Sequence, residues 1–114
     1  MDRRLISVVT TDIDLKVEDG YNEWYEQHIR DVVAIPGWVR ATRYRCLDGE
    51  PRYMSVYDIS SPEYAAIGSM SNWTKEMQEM QERGYEQFWP HVESYRARTY
   101  ELISQMTAED LRRS

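Results

Sequence analysis

Between Tyr21 and Trp38 the chain reads Tyr-Asn-Glu-Trp-Tyr-Glu-Gln-His-Ile-Arg-Asp-Val-Val-Ala-Ile-Pro-Gly-Trp, and this stretch constrains the fold most. Tyr21, Trp24, Tyr25 and His28 fall at i, i+3, i+4 and i+7, and Val32 continues the stripe. That spacing makes one face of a helix that packs against a core. His28 is the only strongly polar member of the face. Pro36 disfavours a helical residue before it, and Gly37 lets the chain turn. The helix is therefore expected from about Val17 or Glu18 to Ile35, with strand-like sequence after it.

The other elements follow from period and punctuation. Leu5–Ile13 is β-branched and reads as a strand, Trp38–Leu47 as a second and Tyr53–Ile59 as a third. Asp48-Gly49-Glu50-Pro51 is a turn by composition, so strands two and three form a hairpin. Ser60 with Glu63, or Ser61 with Pro62, starts a short helix to about Ser69. Ser71 or Asn72 can cap the next helix, in which Trp73, Met77, Met80, Gly84 and Phe88 share a stripe and Pro90 is the stop. Tyr95–Ile103 is the fourth strand, and Thr107–Arg113 is a tail with room for a helical turn.

The resulting order is β-α-β-β-α-β, the ferredoxin-like α+β arrangement with a four-stranded antiparallel sheet and helices on one face. Both halves end a helix at a proline beside a tryptophan, as Pro36-Gly37-Trp38-Val39 and Trp89-Pro90-His91-Val92. The uncovered sheet face carries Val, Tyr, Thr and Arg side chains, and a second copy is the economical cover. A homodimer is expected, with residues 1–104 as one domain and 105–114 as a tail.

Composition narrows the class. At 114 residues the chain suits one domain with a real core. A net charge of −6 argues against nucleic-acid binding. No apolar run approaches the ~20 residues of a membrane span. The N-terminus has no signal-peptide hydrophobic region, and Cys46 is the single cysteine, so a cytoplasmic location is expected. Lys16 and Lys75 are the only lysines; Arg40, Arg43, Arg45, Arg52, Arg96 and Arg98 gather in or beside the strands. For Arg43 and Arg98 pairing at a surface or dimer interface is preferred to binding a substrate carboxylate.

The run Trp24-Tyr25-x-x-His28-x-x-Asp31, continuing through Pro36-Gly37-x-Val39 to Arg43-Tyr44, resembles the EthD-like branch of the dimeric α/β-barrel superfamily. Pro51-Arg52-Tyr53 through Ser61-Pro62 is similar to the third strand and following helix start of those proteins. The resemblance implies a homodimer whose sheets form a barrel, with a pocket between sheet and helices in each subunit. Relatives include cofactor-free monooxygenases, polyketide cyclases, muconolactone-type isomerases and haem enzymes. In a methylmuconolactone isomerase a first-helix histidine transfers protons, and His28 lies at the matching place; that enzyme's tyrosine and cysteine partners have no match here.

His28 is thus the candidate general acid/base, with a pKa near neutrality as proton shuttling requires. The bland alternative is a core histidine satisfied by backbone or tyrosine hydroxyls. Asp31, one turn on, could hold the ring, and Tyr25 completes the candidate catalytic set. Trp24, Tyr44, Tyr53, Tyr57, Trp73, Met77 and His91 are candidate substrate-binding residues, although for His91 a loop histidine at a sheet end is the preferred reading. Nine tyrosines, four tryptophans and six methionines against one phenylalanine suit a pocket for an aromatic or polycyclic ligand bearing oxygens. No HxH, HExxH or CxxC spacing exists, so neither a metal nor another cofactor is expected.

The leading expectation is a cofactor-independent lyase, isomerase or cyclase acting on an aromatic or polyketide-like molecule by His28-mediated proton transfer. The alternatives are a cofactor-free monooxygenase, a non-catalytic ligand-binding or accessory protein, and, as a minor option, haem binding through His28 or His91.

Overall fold

The structure, a computed structural model, describes residues 4–60 and 74–113. The expected short helix over 61–69, its caps and Trp73 lie outside the described residues. Strand β1 (Leu5–Ile13) leads through a 3-10 turn at Leu15–Val17 into α1 (Glu18–Val33), followed by β2 (Trp38–Arg45) and β3 (Tyr53–Ile59). Helix α2 (Lys75–Phe88), a 3-10 turn at Trp89–His91, β4 (Val92–Glu101) and α3 (Ala108–Arg113) complete the chain. The sheet order is β2-β3-β1-β4, antiparallel throughout. This is the expected ferredoxin-like βαββαβ arrangement. No helix among the described residues is long and apolar enough to cross a membrane.

Local chemistry sets the boundaries. Helix α1 stops two residues short of the expected end, where Ala34 and Ile35 donate to the carbonyls of Asp31 and Val32. Gly37 then takes a φ of 87°, which a side chain would disfavour. Strand β2 ends at Arg45 rather than Leu47, and the Cys46 amide closes the hairpin on the Arg52 carbonyl. Thr74 caps α2, its hydroxyl accepting from the Met77 amide; the expected caps Ser71 and Asn72 lie outside the described residues. Strand β4 begins at Val92, three residues early, because the turn holding Pro90 already delivers the His91 carbonyl to the Asp14 amide. In the tail, Thr107 and Asp110 cap α3 reciprocally.

Register decides which side chains meet the helices. Leu5, Ser7, Val9 and Thr11 of β1 pair with Ile59, Tyr57, Ser55 and Tyr53 of β3, and these form the helix-covered face. Two apolar clusters fill the space beneath α1: Leu5, Val32, Ile35, Trp38, Tyr57 and Ile59 at one end, Ile13, Tyr21, Tyr25, Tyr53 and Phe88 at the other. The opposite face carries Ile6, Val8 and Thr10 against Asp58, Val56 and Met54, flanked by Tyr44 of β2 and Arg96, Arg98 and Tyr100 of β4.

Helix α2 meets α1 at Gly84. A Cβ there would fall inside the Trp24 indole, which is itself held by the rings of His28, Tyr85 and Phe88. Overpacking costs about 1–3 kcal/mol, against the roughly 1 kcal/mol that alanine gains over glycine in a helix. Because the blocking group is a rigid, pinned ring, the cost sits at the upper end. Gly84→Ala is expected to lower the urea unfolding midpoint and alter tryptophan fluorescence; an unchanged or raised midpoint contradicts this packing.

Candidate active site

A cavity of about 450 Å³ lies between the covered sheet face and the two helices. Its sheet wall is Ser7, Val9, Thr11, Tyr57, Tyr95 and Ala97; α1 contributes Tyr21, Trp24, Tyr25, His28 and Val32. Tyr85 and Trp89, about half exposed, stand where the cavity opens from α2 and the turn after it.

His28 is held from several sides. Trp24 stacks on its ring at 4.9 Å and 17°, and Tyr25 meets it edge-on at 5.0 Å. Its Nδ1 lies 2.5 Å from Oε1 of Gln81, which is fully buried. Nε2 of Gln81 donates to Oδ2 of Asp31 at 3.1 Å, while Gln27 Nε2 donates to Oδ1 at 3.2 Å. Asp31 and the ring are joined through an intermediary amide: carboxylate, Gln81, imidazole. Burial lowers the pKa of His28 from its ordinary 6.5, and the Gln81 hydrogen bond and the Asp31 charge oppose the shift.

The hydroxyls run along the sheet wall. Tyr25 and Tyr57 share a hydrogen bond at 3.3 Å, and Tyr21 and Thr11 one at 2.8 Å. Burial pushes all three tyrosines above their ordinary value, Tyr25 well above it. At neutral pH they are therefore protonated donors, not bases. Behind them the Arg43 guanidinium lies 4.5 Å from the Tyr25 ring centroid, with Nη1 on Glu26 at 3.1 Å and Nη2 donating to Asn22 at 2.8 Å. Arg43 is therefore a strap from β2 to α1.

Of the candidate residues, His28, Tyr25, Trp24 and Tyr57 line the cavity and Asp31 stands one link behind. Tyr44 is a correction: it is 51% exposed on the opposite sheet face, because a bulge between Trp38 and Arg40 makes Ala41 and Arg43 the residues paired with Tyr57 and Ser55. Tyr53 is buried but outside the lining; its hydroxyl donates to Glu18 at 2.6 Å and accepts from Asn22 at 3.0 Å, tying down the start of α1. Met77, partly buried on the first turn of α2, does not reach the lining. His91 is exposed in the turn just before β4 and is not among the lining residues. Gln81 went unnoticed in the sequence; its only signal is its place three residues before Gly84 on the buried side of α2.

No family model and no curated protein sequence matches the chain. Solved structures do. A candidate antibiotic biosynthesis monooxygenase from Nitrosomonas europaea aligns at 12% identity and a TM-score of 0.65, covering 88% of this chain and 90% of that one. A protein from Deinococcus radiodurans with the same provisional name gives 8% identity and 0.67, covering 90% and 96%. A dimeric ferredoxin-like protein of unknown function from Thermobifida fusca gives 12% and 0.62, covering 88% and 92%. At these identities the likeness establishes a shared ferredoxin-like fold.

Proposed function

We propose that the chain is a cofactor-free monooxygenase of the dimeric α/β-barrel type, acting on an electron-rich aromatic or polyketide-like molecule held in the cavity. The observation that carries this is a desolvated histidine with a lowered pKa, stacked on Trp24 in a wall that also holds protonated tyrosine hydroxyls. His28 takes a proton from a phenolic hydroxyl or an activated carbon. The Tyr25 and Tyr57 hydroxyls, with the imidazolium just formed, stabilise the substrate anion. That anion reduces dioxygen: one oxygen atom enters the product as a carbonyl, the other leaves as water, and the substrate supplies all four electrons. The names of the Nitrosomonas and Deinococcus proteins support this choice of chemistry.

A lyase, isomerase or cyclase shares the first step, and the EthD-like motif with its first-helix histidine supports that second reading. The two part at oxygen, which only the monooxygenase consumes. We also propose the homodimer, in line with the dimeric Thermobifida protein. Val8 and Val56 are directly paired on the outer face, with Ile6 and Met54 beside them, and a second sheet would cover them.

An oxygen electrode with electron-rich polycyclic phenols tests the chemistry. His28→Gln is expected to lower kcat/KM by about 10²–10⁴-fold, the usual worth of a positioned base, with unfolding unaffected beyond the lost ring contacts. Because the base form is required and the pKa is lowered, the acid limb of wild-type kcat/KM is expected to have its midpoint below the ordinary imidazole value of 6.5. A folded His28→Gln protein with wild-type turnover would overturn the assignment; turnover without oxygen uptake selects the second reading. For the dimer, light scattering is expected to give twice the 13.7 kDa chain mass and Val8→Lys to reduce it towards one; a wild-type monomer contradicts the dimer.

A further inference from the structure

We infer that Gln81 is a positioning residue that fixes His28 in the tautomer protonated at Nδ1, leaving proton exchange to Nε2. The argument is one of donor and acceptor parity. Two side-chain amides, Gln81 Nε2 and Gln27 Nε2, donate to Asp31, one to each carboxylate oxygen. An ionised carboxylate only accepts, so the end of Gln81 that faces it must be the NH₂ group. The amide oxygen is then committed to the opposite side, where His28 Nδ1 lies 2.5 Å away. A carbonyl oxygen only accepts, so Nδ1 must carry the hydrogen.

Turning the amide would set oxygen against carboxylate and NH₂ against Nδ1. NH₂ could donate to a bare Nδ1, but in a group with no exposed surface water could not relieve the oxygen–carboxylate contact, so Asp31 rules out that orientation. Asp31 thereby sets the tautomer of a ring it addresses through another side chain. The same geometry serves both protonation states, because Nδ1–H donates to Gln81 whether the ring is neutral or cationic. Only Nε2 changes, so a proton can come and go without rearranging the amide. The importance of this for turnover rests on the role proposed for His28; the tautomer itself does not.

Long-range ¹H–¹⁵N correlation of the histidine rings, in uniformly labelled protein at pH 7.5, tests it directly. The chain has two histidines, and a His91→Gln variant assigns them. Wild-type His28 is expected to show a protonated Nδ1 and an unprotonated Nε2. Gln81→Met, which fills the space without an acceptor, is expected to lose that pattern and cut kcat/KM at least tenfold at unchanged KM. A wild-type ring protonated at Nε2, or a folded Gln81→Met protein with the wild-type pattern, would overturn the inference. If Gln81→Met fails to fold, the wild-type spectrum decides. Failure of the proposed function reads differently: His28→Gln would keep its turnover whatever tautomer the wild-type ring shows.

Discussion

The Trp24 indole lies against the bare backbone of Gly84, and the spacing of the two helices follows from that contact. With α2 this close to α1, Gln81, one turn before the glycine, can reach both His28 and Asp31. Phe88, one turn after it, enters the aromatic cluster with Tyr21 and Tyr25. The same indole is the platform on which the imidazole stacks. A larger residue at 84 would therefore widen the helix pair, loosen the amide relay and tilt the base together. Packing and site chemistry are one constraint here.

Among the described residues, the cavity lining is uncharged at rest. Burial keeps the imidazole neutral by lowering its pKa and keeps the tyrosines neutral by raising theirs. The nearest full charges, Asp31 and Arg43, stand behind the wall, engaged by amides and by Glu26 and Asn22. Such a wall accepts a neutral, largely apolar molecule without displacing an ion pair. In the proposed chemistry, the anion formed when a proton moves to His28 would sit among hydroxyl donors in a place of low dielectric, where each interaction is stronger than in water. Neutrality at rest and stabilisation after transfer come from the same burial.

Much of this could be read from the residues. The stripe from Tyr21 to Val32 has helical spacing and faces the core as that spacing requires, and the order of elements led to the sheet topology. Tyr44 misled because strand parity depends on the bulge between Trp38 and Arg40, a break in alternation that composition does not announce. Tyr53 is expected as a substrate-binding residue but is tied to Glu18 and Asn22, which lie more than thirty residues away and meet it only on folding. Gln81 is one of several glutamines in a Glu-rich helix. Nothing local separates a fully buried amide from a solvated one; the difference is made by Asp31 and His28 across the helix interface.

The central claim is that a molecule is bound and activated between His28 and the tyrosine hydroxyls. A crystal structure of the protein soaked with an electron-rich polycyclic phenol tests it most directly. The account predicts the rings lying within the cavity beside Trp24, with the phenolic oxygen in hydrogen-bond reach of His28, Tyr25 or Tyr57. A ligand seated on the outer sheet face, or a cavity that stays empty at saturating concentration, would contradict it.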